Sequence, residues 1–105
     1  MTNSDSTKIK WRRLQEIVVL LIHREVELHG STSLSDGIIA AASFNKDRAD
    51  IAINFHRVKS LCSVMEALAH EALHIITNNT AHPLDFHLRV KRLVGKIKRE
   101  YYKNE

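Results

Sequence analysis

The chain has 105 residues, 44% of them hydrophobic and 27% charged, with a formal charge of +4. That is enough for one modest core and too little for two, so a multidomain enzyme is excluded. The longest strongly apolar run, Ile17 to Ile22, falls far short of the roughly 20 residues a membrane span needs. With Cys62 the lone cysteine, an intramolecular disulfide and a cysteine zinc ribbon are both excluded, so any metal must be held by histidine and carboxylate.

Residues 1–7 are polar and lack an apolar signal-peptide core. They read as a flexible leader to a single domain over 8–105, and cytoplasmic residence is the expectation. From Lys8 to His29 the apolar positions Trp11, Leu14, Ile17, Val18, Leu21, Ile22 and Leu28 recur at helical spacing, which predicts a long scaffold helix stopped by Gly30. On that reading His29 sits near a helix C-terminus, where the dipole favours it.

The turn-forming stretch GSTSLSDG follows. Beyond it, Ile38 to Phe44 and Asp50 to Phe55 flank a polar turn, and Ile51, Ile53 and Phe55 alternate with Ala52, Asn54 and His56. The pattern predicts a β-hairpin, although the alanines of the first segment also favour helix. A second helix is expected from Ser60 to about Thr77, with Ser63 and Glu66 spaced like a capping box and Asn78 and Asn79 as stop residues.

The last segment predicts a third helix with Pro83 in its first turn and an apolar stripe of Phe86, Val90, Leu93, Val94, Ile97 and Tyr101. Arg89 to Lys103 holds seven lysines or arginines and one acid, Glu100. Such a tail suits an anionic partner, and an ordinary solvated helix face equally well.

The chemistry concentrates in HEALH, residues 70–74, inside the second helix. Residues i and i+4 share a helix face, so His70 and His74 can present their imidazoles to one ion. Glu71 lies about 100° round the helix, placed to reach a water on that ion without being a ligand. A catalytic zinc site typically takes three protein ligands and lowers the pKa of water towards about 7. Glu71 could then act as general base in amide hydrolysis. A third ligand must come from downstream. His82 is the first choice because the intervening chain is long enough to return it and because, before Pro83, it is held extended at the lead-in to the third helix. Asp85 and His87 are the alternatives.

At these residues the chain resembles a small zincin of the SprT-like kind, related also to the YgjP-type hydrolases. Those families pair an HExxH helix with a downstream histidine followed four positions later by an aromatic, read here as His82 and Phe86. The resemblance implies an α+β minimal zincin-like fold: scaffold helix, short antiparallel sheet, HExxH helix and C-terminal helix. It implies Zn2+ held by His70, His74 and His82, Glu71 as the catalytic base, and a protein or peptide as substrate. Phe86 would pack behind the third ligand. The segment ADIAINF is similar to the strand that precedes the active-site helix, an edge that pairs with substrate backbone in zincins generally. Metzincin spacing is not met, because Thr77 and Thr80 stand where that motif needs glycine and histidine.

SprT-like proteins cleave proteins attached to DNA, which leaves DNA or a DNA-bound protein open as a partner of the basic tail. The rival of a different class is a non-catalytic or latent metal-binding interaction module that contacts nucleic acid through its C-terminal helix. Glu66, one turn before His70, is read as a cap more readily than as a cleft residue, and Tyr101 as packing more readily than as a stabiliser of a tetrahedral intermediate. Oligomeric state is not legible.

Overall fold

A computed structural model describes residues 9–31, 34, 37–54, 57 and 60–103. The elements in chain order are α1 (Trp11–Ile22), β1 (Glu27–Ser31), β2 (Ala40–Phe44), β3 (Ala49–Asn54), α2 (Leu61–Thr77) and α3 (Phe86–Tyr101). The fold is α+β: three helices on a three-stranded mixed sheet of order β1-β3-β2, with β1 parallel and β2 antiparallel to β3. Among the described residues no helix is long and apolar enough to cross a membrane. The expected leader, Phe55 and His56 lie outside the described residues.

The scaffold helix is shorter than its periodicity predicts. Leu14, Ile17, Val18 and Ile22 form its buried stripe, and the helix ends at His23, a left-handed cap with φ 65° whose N–H bonds Val19 O. The next position on the stripe is Glu25, whereas the apolar Val26, 2% exposed, falls off it. From there Val26 and Leu28 alternate with acids, which is the strand period. Residues 27–31 are therefore a strand, and His29 is an exposed strand residue rather than a helix-end one. Gln15 Oε1 accepts Leu28 N–H at 3.0 Å, tying β1 back to α1.

The hairpin is present, with Ala40 paired to Ile53 and Phe44 to Ala49. Its second strand is not an edge, however. β3 is bonded on both sides, by β1 and by β2, so it cannot pair with a substrate, and the sheet is mixed rather than antiparallel. The outer strands are β1 and β2, and of these β2 is the one that packs closely against α2. Asn54 N–H bonds Ile39 O at 2.8 Å and Asn45 N–H bonds Arg48 O at 2.8 Å. In an antiparallel ladder the bonded residues alternate, so the odd-numbered residues of β2 face β3 and the backbone groups of Ala40, Ala42 and Phe44 point outward.

α2 is the central helix, packed against α1, α3, β2 and β3. It buries Val64, Met65, Leu68, Ala69, Ala72, Leu73 and Ile75. Its cap is Ser60, whose side chain accepts Ser63 N–H at 3.2 Å, so the Ser63–Glu66 box does not form. The helix starts one residue after Ser60, which leaves Ser63 already inside the first turn. α3 carries the expected stripe, burying Phe86, Leu93, Ile97 and Tyr101. It begins at Phe86 rather than at Pro83, because a separate turn closed by Phe86 N–H on Pro83 O, 2.9 Å, comes first. Tyr101 packs in the core and its hydroxyl accepts Lys10 N–H at 3.1 Å.

Candidate metal centre

One helix and the loop that follows it bring three histidines together. His70 and His74 stand one turn apart on α2, and the loop after α2 returns His82 to them; their ligand atoms all lie within 4.8 Å of one another. The set is close enough to hold a metal ion. His74 is buried, His70 half-buried and His82 exposed. Asp85 and His87, the alternatives for the third position, are not part of the group.

The return of His82 is built by the two asparagines at the helix end. Asn78 takes the left-handed conformation, φ 54° and ψ 43°, which asparagine tolerates better than most residues and which turns the chain out of the helix. Asn79 N–H then bonds His74 O at 3.1 Å, and its side-chain Oδ1 accepts Ala81 N–H at 2.8 Å, fixing the last step before His82. The carbonyl of Asn79 also lies 2.9 Å from His74 Nδ1. A carbonyl can only accept, so Nδ1 carries the proton and Nε2 keeps its lone pair for a metal, the arrangement seen around metal-binding histidines in general.

Three imidazole nitrogens are a donor set that zinc and other first-row transition metals accept. Two nitrogens about 2.05 Å from one ion at a tetrahedral angle are about 3.3 Å apart. His70 Nε2 and His82 Nε2 are 3.3 Å apart. The same separation makes a hydrogen bond only when one of the two rings carries its proton on Nε2. Phe86 is the common backing of the group, its ring centroid 5.0 Å from that of His70, 4.8 Å from His74 and 4.8 Å from His82. It therefore packs behind all three rings. Burial, and then the neighbouring His74 and His82, hold the pKa of His70 below the ordinary imidazole value, which favours the neutral form a metal requires.

Glu71 faces the sheet side of the same helix. Burial pushes its carboxyl up to about 7, against an opposing pull from the backbone N–H of Ala42. That contact agrees with the strand parity, since Ala42 is one of the β2 residues whose backbone points outward. Glu71 and His70 close one end of a cleft of about 510 Å³, with Ile38, Ile39 and Ala40 on one wall, Ser63, Glu66 and Ala67 of α2 on the other, and Arg57 at the margin. Glu66 is thus an exposed cleft residue and not a cap.

Two residues shape this site without a sequence signal of their own. Asn79 orients His74 and braces the return loop. Asn54 is fully buried, and its side-chain amide donates to Ile38 O at 2.7 Å, pinning the cleft wall to the end of β3. A polar residue alternating with Ile53 reads from the sequence as solvent-facing, and only the close packing of β3 under the wall reveals otherwise.

Comparison with protein-family models, with curated proteins and with solved structures finds no match to this chain.

Proposed function

We propose that this protein is a zinc-dependent metallopeptidase of minimal zincin type, akin to the SprT-like and YgjP-like hydrolases. The observation that carries the reading is the convergence of His70, His74 and His82 beside an acid in a cleft lined by Gly37 to Ala40, the run that leads into the edge strand β2. His70, His74 and His82 would hold the ion through imidazole nitrogen. When bound, zinc supplies Lewis acidity, which brings the pKa of water down towards about 7 and polarises a carbonyl.

The rest is done by the chain. Glu71, a carboxyl that burial raises and a bound cation would draw down again, is placed to take the proton of an attacking water and to return it to the leaving amine. Asn79 holds His74 in the tautomer that frees Nε2. The outward backbone groups of Ala40 and Phe44 offer an extended peptide a strand to pair with, which would align its carbonyls along the cleft. This moves the substrate-pairing role from β3 to β2.

The test is zinc content with peptide cleavage, measured on wild type and Glu71→Gln. One zinc in both, with casein or peptide hydrolysis only in wild type, supports the enzyme. Zinc in both with no hydrolysis in either supports the non-catalytic metal-binding module. Absence of zinc after reconstitution refutes both.

A further inference from the structure

Ser63, Glu66, Ala67, His70 and Glu71 recur at the three- and four-residue spacing of one helix face, and all five line the cleft beside the histidines. From Ser63 to His70 the helix rises about 10 Å, the length of about three residues of extended chain. The cleft is thus a groove along α2, long enough for a short stretch of peptide. On its opposite wall Ile38 and Ile39 leave large apolar side chains 39% and 47% exposed.

The polar groups of the α2 wall are not equivalent. Ser63 Oγ lies 3.1 Å from Ser60 Oγ in the helix cap, and the Glu71 carboxyl is held at Ala42 N–H. Glu66 is exposed, and among the described residues its carboxylate makes no hydrogen bond or ion pair, not even with Arg57 of the same cleft. It stands four residues before His70, about 40° round the helix and about 6 Å along the axis, which is about two residues of an extended peptide. An unpaired acid on the lip of an apolar groove matches a long cationic side chain, whose methylenes cover apolar surface while the charged head stays in water. We propose that Glu66 is the specificity-determining residue of this cleft. It holds the ammonium or guanidinium of a substrate lysine or arginine about two residues from the carbonyl that faces the metal, with the stem of that side chain on Ile38 and Ile39. The inference rests on the peptidase reading of the site.

The experiment uses the full chain with zinc as Glu71→Gln, so that a peptide binds without being cut. Capped, labelled peptides of alanine, leucine and serine, carrying lysine, acetyl-lysine, norleucine or glutamate at their centre, are titrated by fluorescence anisotropy. Lysine should bind about fivefold tighter than acetyl-lysine, the upper range for an exposed ion pair, and the difference should shrink as salt is raised. Adding Glu66→Gln should abolish that difference and leave norleucine unchanged, and adding Glu66→Lys should turn the preference to glutamate. The same peptides given to the protein with Glu71 intact should be cut about two residues from lysine, with the preference carried by KM. Equal affinity for lysine and acetyl-lysine, a lysine preference that survives Glu66→Gln, a glutamate preference removed by Arg57→Gln, or no binding of any peptide overturns the proposal. Cleavage without a lysine preference overturns the subsite and leaves the peptidase standing. A Glu66-dependent lysine preference without cleavage supports the subsite and refutes the peptidase.

Discussion

His70 and His82, twelve residues apart in the chain, meet with their Nε2 atoms 3.3 Å from each other. Without an ion, nothing but a single shared proton favours bringing two imidazole lone pairs together; with one, the distance is a tetrahedral edge. His82 is exposed and takes no part in the core, so its removal should leave the fold intact. His82→Ala is therefore expected to weaken zinc by more than about a hundredfold, beyond what loss of a merely orienting partner costs, with thermal unfolding of the metal-free protein unchanged. Competition with a chromophoric chelator measures the first and a chelated melt the second. An affinity within a few-fold of wild type would remove His82 from the ligand set.

Phe86 connects the ligand group to the core. Its ring touches all three imidazoles and is only 6% exposed. Phe86→Ala should cost about 3 kcal/mol of stability in chelated protein, as large-to-small core changes do. It should also weaken zinc by about tenfold, since the rings lose the surface that fixes their orientation. Denaturant titration and metal competition on the same variant separate the two effects, and Phe86→Leu should recover most of the stability and less of the affinity.

Asn54 gives a prediction about the cleft wall. Its amide to Ile38 O is made in a fully buried position, where a lost hydrogen bond costs about 1–3 kcal/mol. Asn54→Ala is expected to fall in that range. The ladder bond from residue 54 N–H to Ile39 O should then exchange its hydrogen faster than the rest of β3, which hydrogen exchange read by mass spectrometry or NMR would show. A uniform increase across the strand would mean global destabilisation and no local role at the wall.

The histidine constellation was legible because its logic is local: an i, i+4 pair and a chain long enough to return a third ligand. The elements that were misread depend on partners far away in sequence. Glu27 to Ser31 become a strand by pairing in parallel with β3, a contact no hairpin signal announces. ADIAINF has the composition of an edge or a central strand alike, and only the arrival of β1 makes it central. Pro83 is a good first-turn residue wherever a helix starts, yet Leu84 and Asp85 form a turn first and delay the helix to Phe86. The roles of Asn79 and Asn54 rest on a carbonyl and a wall supplied by tertiary packing, so residue type alone could not reveal them.

Glu71 provides the pH test. Its carboxyl is raised to about 7 in the folded chain, from an ordinary value of 4.5, with burial the main cause. Between those values the folded chain holds a proton that the unfolded chain has released, so folding loses stability as pH rises through this window. His70 acts in the opposite sense: its lowered pKa means that the unfolded chain takes up the proton first as pH falls below the ordinary value of 6.5. The two contributions overlap in wild type, but that of His70 is shared by Glu71→Gln and cancels in the comparison. In chelated protein, because a bound cation would draw the carboxyl down again, the urea midpoint of Glu71→Gln should gain on that of wild type as pH rises from about 5 to about 8. A constant difference over that range would show that the carboxyl ionises in the folded chain as freely as in the unfolded one.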